Sequence, residues 1–200
     1  MMSVDLSAAY KVQKNHTENK NIIAYKVGAS NHRSANFFGY EGLLLGGLDK
    51  SCIHKKNVTK NYDIAEVEII SQILMTDCGD GYHTLGHYIG IECPNVVLPN
   101  PSGDPVICIA DNCSAGDLLL FQNLDHLDFE NVKIYSNSEL LCSGVIGNLK
   151  YSNAYIVSEA FRIIREFDLP VSSREIFIAT GGITDVFPLR AGSLVEIKCE

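Results

Sequence analysis

Basic residues are scarce in this 200-residue chain. Lysine and arginine together number 16, against 24 acidic residues, and the formal net charge is -8. A surface that binds nucleic acid needs clustered cationic side chains to neutralise phosphates. The one basic cluster, His54-Lys55-Lys56, is too short to provide such a surface. The composition therefore predicts no nucleic-acid partner.

Long apolar runs are also missing. No stretch reaches the roughly 18 consecutive apolar residues that a membrane-spanning helix requires. The first residues, Met1-Met2-Ser3-Val4-Asp5-Leu6, contain neither the basic region nor the apolar region of a secretory signal. We therefore expect no membrane partner and a cytoplasmic location.

Cysteine pairs at CxxC spacing are absent as well. The seven cysteines are an odd number, and several lie in apolar runs such as Val106-Ile107-Cys108-Ile109. This pattern is typical of reduced, buried thiols rather than of a disulfide framework.

The length and the balance of residue types fit one soluble globular domain spanning residues 1–200, with 46% hydrophobic and 20% charged residues. Apolar periodicity predicts a short amphipathic helix within 3–15 and a main one over 152–167, which Leu169-Pro170 ends. The rest is β-rich, so we expect an α+β fold. The predicted strands are 22–27, 43–45, 65–74, 88–93, 106–110, 118–121, 132–135, 176–180 and 194–198.

Three glutamates in apolar strands are the strongest functional signal. Glu66 and Glu68 lie one residue apart and therefore point to the same face of a strand. On a half-buried face, their like charges need a cation, a shared proton or a basic neighbour. For this pair alone, a strand face exposed to solvent is the alternative explanation. Glu92 interrupts a second apolar strand that Pro94 ends, so three carboxylates can converge. Such a ligand set suits Mg²⁺ or Mn²⁺.

Lys26 lies in an apolar strand that ends at Gly28. One explanation is a lysine whose side chain extends to solvent at a strand end, and this is the better explanation for the position by itself. The other is a desolvated lysine with a lowered pKa that binds a carboxylate or moves a proton.

Two junctions between an apolar stretch and a loop offer polar groups. Thr180, Gly181 and Gly182 follow an apolar strand, and paired glycines let backbone N–H groups approach an anion, although a plain turn explains them too. Asp111 opens the second junction, where polar side chains can equally cap the turn.

Taken in order, these segments resemble the 2-hydroxypenta-2,4-dienoate hydratase and 4-oxalocrotonate decarboxylase family of the fumarylacetoacetate hydrolase superfamily. The resemblance runs across nearly the whole chain. Its segments are 8–13 (AAYKVQ), 25–30 (YKVGAS), 65–69 (AEVEI), 91–94 (IECP), 109–116 (IADNCSAG), 144–148 (GVIGN), 180–182 (TGG) and 188–192 (PLRAG).

The resemblance implies the mixed β-sheet roll of the fumarylacetoacetate hydrolase C-terminal domain. It implies Mg²⁺ or Mn²⁺ on three glutamates and a small 2-oxo or 2-hydroxy dienoic acid as substrate. The implied enzyme is a carbon–oxygen lyase of aromatic catabolism, a hydratase working through a metal-stabilised enolate, with 2-oxo-dioic acid decarboxylation and C–C hydrolysis as alternatives. Lys26 would shuttle a proton or anchor a carboxylate. The implied metal ligands are Glu66, Glu68 and Glu92, and the implied substrate-binding residues are Lys26, Asp111, Thr180 and Gly181.

The chain also departs from the family pattern. It begins near the AYxVQ helix, so we expect it to lack the family's N-terminal helical extension and to have reduced oligomer contacts, with a homo-oligomer still open. Glu41 is the expected stand-in for the family's acidic catalytic residue after the lysine strand. These departures leave a second class of function open, that of a non-catalytic metal-binding or ligand-binding relative.

Overall fold

The computed structural model describes residues 5–95 and 103–200, which contain eleven strands, four α-helices and three short 3-10 helices. The helices are α1 (Ser7–Thr17), α2 (His32–Phe38), α3 (Pro105–Ala110) and α4 (Asn153–Glu166). The strands are β1 (Ile22–Gly28), β2 (Leu44–Asp49), β3 (Ile53–Lys55), β4 (Tyr62–Met75), β5 (Tyr82–Cys93), β6 (Asp117–Leu124), β7 (Asn131–Ser136), β8 (Glu139–Val145), β9 (Glu175–Gly182), β10 (Phe187–Leu189) and β11 (Val195–Cys199).

A mixed sheet forms the centre of the fold. Its strand order is β2-β1-β9-β4-β5-β6-β3, and β10 pairs with β4 in addition. The pairs β1–β9 and β3–β6 are parallel, whereas β4 is antiparallel to β5 and β9. The strands β11, β7 and β8 form a second, antiparallel sheet. The predicted β-rich α+β fold is therefore confirmed.

The main core lies on one face of the large sheet. Val67, Ile69 and Ile73 alternate along β4 on that face and are almost fully buried. The apolar stripe of α4 belongs to the same core, and Ser152 caps this helix by accepting a hydrogen bond from the Tyr155 N–H. The opposite face carries a smaller apolar cluster that includes Ala24 and Ile70. Alternation along β1 and β4 places Lys26, Glu66 and Glu68 on this second face.

The strand predicted over 106–110 is wrong, because this segment forms α3. An apolar run of this length is compatible with either a strand or a buried helix. Asp104 caps the helix by accepting a hydrogen bond from the Val106 N–H, and Pro105 occupies the first turn, where its missing N–H costs nothing. The buried Gln13 side chain of α1 then donates to the Ile109 carbonyl, which holds α3 against the fold.

The predicted chemistry of the cysteines is confirmed in part. All seven thiols are free, with Cys93 and Cys113 buried and Cys78 exposed. Among the described residues, no helix is long and apolar enough to cross a membrane.

Candidate metal centre

Two neighbouring strands bring the three glutamates together. Glu66 on β4 lies directly opposite Glu92 on β5, and Glu68 follows on the same face of β4. One carboxylate oxygen from each of the three lies within 4.8 Å of the others. Residues opposite each other in antiparallel strands have their Cβ atoms about 5 Å apart, so the pairing register brings Glu66 and Glu92 together. The convergence predicted from the spacing is present in the fold.

Two of these carboxylates are removed from water. Glu68 is 1% exposed and Glu92 is fully buried. Burial raises the pKa of Glu68 well above its usual range, and the charges of Glu92 and Glu66 add to the effect. Burial likewise raises the pKa of Glu92 to about 7, although Lys26 opposes the shift. Ionised side chains are therefore costly here unless further positive charge compensates them.

The donor set fits a hard divalent cation. Glu92 Oε1 lies 3.1 Å from Lys26 Nζ, but neither Glu92 oxygen accepts a hydrogen bond of good geometry from the described residues. Glu68 Oε2 accepts one from the Gly181 N–H at 2.9 Å, which orients that carboxylate. Oxygen atoms that remain without hydrogen bonds in a buried cluster are the ligands that Mg²⁺ and Mn²⁺ take.

Lys26 carries the positive charge nearest to the buried carboxylates. Its side chain is 10% exposed, which favours the desolvated alternative over a lysine that extends to solvent. The lowered pKa that belonged to the desolvated alternative is wrong. Burial alone would lower the pKa of Lys26, but the three nearby carboxylates outweigh burial and raise it. The ammonium is therefore a fixed cation next to Glu92 rather than a neutral amine.

Glycines at the end of β9 make room for the carboxylates. A Cβ on Gly182 would lie 2.0 Å from Glu66 Oε2, and one on Gly181 would lie 1.8 Å from Ser30 Oγ. Gly181 also has a φ of +108°, which side-chain-bearing residues rarely adopt. The paired glycines therefore let β9 approach the site closely.

Replacing Gly182 by alanine is expected to displace the Glu66 carboxylate while the fold is retained, since the clash is with the end of a flexible side chain. We expect the affinity for Mg²⁺ or Mn²⁺ to fall by about 10- to 100-fold, which is the usual effect of losing a group that positions a metal ligand. Isothermal titration calorimetry with Mn²⁺ measures this, and Gly86→Ala on β5, where a Cβ would meet no atom closer than 3.8 Å, is the control. Equal affinities in both variants would contradict the close approach.

The cluster reaches a cavity of about 440 Å³ through Glu66, which lines the cavity, whereas Glu68 and Glu92 lie behind it. Polar side chains on its wall include Lys26, Glu66 and Asp111, and backbone atoms of Gly181 and Gly182 contribute as well. Apolar side chains surround the outer part of the cavity, namely Phe37, Phe38, Ile64, Ile107 and Val186. The volume suits a small organic acid.

The remaining predicted residues differ in their positions. Asp111 lines the cavity. Thr180 is fully buried, donates its hydroxyl hydrogen to the Ile69 carbonyl and is not part of the cavity wall. Glu41 is also absent from the wall, since its exposed side chain pairs with Lys150. The geometry thus gives no support to substrate contact by Thr180 or to catalysis by Glu41.

Sequence reasoning missed two features of the cavity. Arg33 on α2 reaches the site, with one guanidinium nitrogen 3.7 Å from Glu66 Oε2 and another 2.8 Å from Asp185 Oδ1. The second feature is a left-handed turn, in which Asn112, Cys113 and Ser114 all have φ between 52° and 55°. The sequence signal for α2 was the polar cap residue Asn31, whose side chain accepts a hydrogen bond from the Ser34 N–H. The junction after Asp111 was recognised as polar, but its left-handed backbone was not expected.

Comparison with solved structures identifies the class of fold. No protein-family model and no curated protein sequence match the chain. The 4-oxalocrotonate decarboxylase from Pseudomonas putida G7, complexed with magnesium and adipate, matches with a TM-score of 0.76 and 18% identity over 98% of this chain and 82% of that one. This likeness confirms the predicted fold, which this chain shares with the decarboxylase.

Two hydrolases share the fold at lower similarity. The fumarylpyruvate hydrolase from Pseudomonas aeruginosa, in complex with Mn²⁺ and pyruvate, has a TM-score of 0.57 and 13% identity over 92% of this chain and 88% of that one. The maleylpyruvate hydrolase from Sphingobium sp. SYK-6, in complex with manganese(II) and pyruvate, has a TM-score of 0.53 and 12% identity over 89% and 66%. At these identities the comparison establishes the fold and leaves the reaction open.

Proposed function

We propose that this chain is a Mg²⁺- or Mn²⁺-dependent enzyme of the fumarylacetoacetate hydrolase superfamily, and that it hydrates a 2-hydroxy-2,4-dienoate or a related 2-oxo-4-enoate. The observation that carries the proposal is the buried cluster of Glu66, Glu68 and Glu92 beside an open cavity. Three solved structures of the same fold hold magnesium with adipate or manganese with pyruvate, which supports a small acid as the ligand.

The three glutamates would hold the cation, and the chain's own groups support them. The Gly181 N–H holds the Glu68 carboxylate, and Thr180 fixes β9 against β4 through its hydrogen bond to Ile69. When bound, the cation would supply Lewis acidity that stabilises negative charge developing on the 2-oxygen of the substrate. Hydration then adds water across the carbon–carbon double bond remote from the carboxylate.

Lys26 would act on the substrate as a cation. The carboxylates raise the pKa of Lys26 in the metal-free cluster, and as an ammonium it would bind a substrate carboxylate or donate a hydrogen bond to an anionic oxygen. Asp111 lines the same cavity as Lys26, and it would contact the substrate from the end of α3. The apolar side chains of the outer cavity would exclude water from part of the ligand.

Loss of dienol absorbance, followed with added Mg²⁺ and with EDTA, tests the proposal. We expect turnover to need the metal and Glu68→Gln to lower kcat/KM by at least about 1,000-fold, because a neutral amide is a poor ligand for the cation. Glu175→Gln, an equivalent change at an exposed residue of β9, is the control and should leave the rate unchanged. Turnover that persists in EDTA, or in the Glu68 variant, would contradict this mechanism.

Decarboxylation of a 2-oxo dioic acid is the second candidate reaction, favoured by the match to 4-oxalocrotonate decarboxylase. Released CO₂ identifies it, and a second organic acid among the products identifies C–C hydrolysis. Binding of an oxalate-like chelator through Mg²⁺ without turnover of any of these acids would instead favour a non-catalytic ligand-binding protein.

A further inference from the structure

Two thiols share the wall of the metal-site cavity. Cys108 lies on α3 and is partly exposed, whereas Cys113 lies in the following left-handed turn and is 4% exposed. Both line the cavity, and the two thiols are close enough to influence each other's pKa. The proposed function uses neither of them.

The turn that carries Cys113 is fixed in an unusual conformation. Three consecutive residues other than glycine have positive φ, which local sterics disfavour and which persists only where the surroundings impose it. The Asn112 side chain imposes it here, since its amide accepts a hydrogen bond from the Gly47 N–H and donates one to the Gly47 carbonyl, both at 2.8 Å. The Ser114 carbonyl accepts a third from the Asn95 N–H. The position of Cys113 relative to α3 is therefore held by the fold.

The two thiols differ in reactivity. The neighbouring Cys113 thiol has the largest effect on Cys108 and lowers its pKa, and the nearby Lys26 ammonium acts in the same direction. Burial raises the pKa of the Cys113 thiol. The thiolate is the nucleophilic form of cysteine, so the more exposed Cys108 is the one that attacks an oxidant and Cys113 is placed to resolve the product.

We propose that Cys108 and Cys113 form a reversible disulfide in the cavity wall when the protein meets a hydroperoxide. The Cys108 thiolate attacks a peroxide oxygen, so that an S–O bond forms, the O–O bond breaks and the leaving oxygen is protonated to water or an alcohol. The Cys113 sulfur then attacks the sulfenic sulfur, an S–S bond forms, and hydroxide leaves and takes up the Cys113 proton as water. Two thiols are oxidised and one peroxide is reduced.

The location of this dithiol gives the modification a consequence for the site. Cys108 shares the cavity with Lys26 and Asp111, so a disulfide would tie the end of α3 to the turn at the point where a ligand would lie. An occupied cavity should in turn shield Cys108 from the oxidant. The chemistry of the dithiol itself does not depend on which acid the enzyme takes.

Peroxide treatment of the 200-residue chain tests the inference. Hydrogen peroxide in small excess should lower the intact mass by that of two hydrogen atoms, peptide mapping should locate a Cys108–Cys113 bond, and dithiothreitol should restore the mass. A bond between chains, a bond between other cysteines, or oxidation without a bond would overturn the proposal. This measurement needs no variant to fold.

A serine in place of each thiol separates attack from resolution. Cys113→Ser keeps a hydrogen-bond donor but has no resolving sulfur, so Cys108 should accumulate as a sulfenic acid that dimedone captures. Labelling of Cys108 in this variant should clearly exceed labelling of Cys113 in Cys108→Ser, because the pKa of Cys108 is lowered and that of Cys113 is raised. Cys78→Ser, at an exposed cysteine away from the cavity, should leave disulfide formation unchanged. Equal labelling of the two thiols would contradict their assigned roles.

Discussion

Replacing Glu92 by glutamine is expected to make the metal-free protein more stable and, at the same time, nearly unable to bind its metal. When all four are ionised, Lys26 and the three glutamates carry one positive and three negative charges, two of the negative ones in buried positions. The amide removes one of these and leaves Lys26 facing two carboxylates, so no cation is left unpaired. Mg²⁺ affinity should fall by at least about 100-fold, because one of three charged ligands is lost.

The stabilising effect of Glu92→Gln on the metal-free protein should increase with pH. The pKa of Glu92 is raised from 4.5 to about 7 in the folded state, so the folded protein binds more protons than the unfolded chain between these values. The contribution of Glu92 to the free energy of unfolding of the wild type is therefore fully present below about pH 4.5. It declines as the pH rises towards 7 and stays low above pH 7. A shift of this size corresponds to on the order of 3 kcal/mol in the free energy of unfolding at pH 8.

Urea unfolding in EDTA between pH 5 and pH 8 measures this effect. Wild-type protein should lose stability across the range and Glu92→Gln should lose less, with the difference largest at pH 8. Glu196→Gln, at an exposed residue of β11, is the control and should follow the wild type. Parallel curves for wild type and Glu92→Gln would show that Glu92 has an ordinary pKa in the folded protein.

Replacing Lys26 by methionine should have the opposite effect on the metal-free protein. The methionine fills a similar volume, but the nearest remaining cation to the cluster among the described residues is Arg33, which is half exposed and lies 3.7 Å from Glu66. Removing one partner of a buried ion pair typically costs about 3 to 5 kcal/mol, because the other charge is left uncompensated. Catalysis should fall by about 100-fold or more, since Lys26 is the cation expected to contact the substrate.

Mg²⁺ gives this prediction a second measurement. Because the cation supplies the charge that Lys26 no longer provides, saturating Mg²⁺ should raise the melting temperature of Lys26→Met by more than that of the wild type. Lys14→Met is the control, since its ion pair with the exposed Asp168 should contribute less than about 1 kcal/mol. A metal-free Lys26 variant as stable as the wild type would contradict the role of Lys26 as the counter-ion.

Part of the candidate site could be predicted from local pattern. The alternation of side chains along a strand places Glu66 and Glu68 on one face in any sheet that contains them. The apolar stretch around Glu92, ended by Pro94, has the features of a strand by itself. These are properties of neighbouring residues, so no knowledge of the fold was needed to expect three carboxylates in strands. The amphipathic pattern of α4 belongs to the same kind of information.

Other features depended on contacts between distant segments. The apolar run 106–110 could form either a strand or a helix, and its cap at Asp104 and its contact with Gln13 select the helix. The direction of the Lys26 pKa depends on how many carboxylates approach it, which the sequence around Lys26 does not contain. Glu41 was chosen for its position along the chain, yet it pairs with Lys150 away from the cavity.

The sequence by itself determined the chemistry that this protein brings to its site: three carboxylates and a lysine in apolar strands, and glycines where a backbone must pass closely. The tertiary structure alone decided that β4 and β5 pair with Glu66 opposite Glu92, that Lys26 joins them from β1, and that Arg33, Cys108 and Cys113 face the same cavity. The physical reason is the range of the interactions. Alternation is local, whereas burial, register and electrostatic coupling arise only when distant segments pack together.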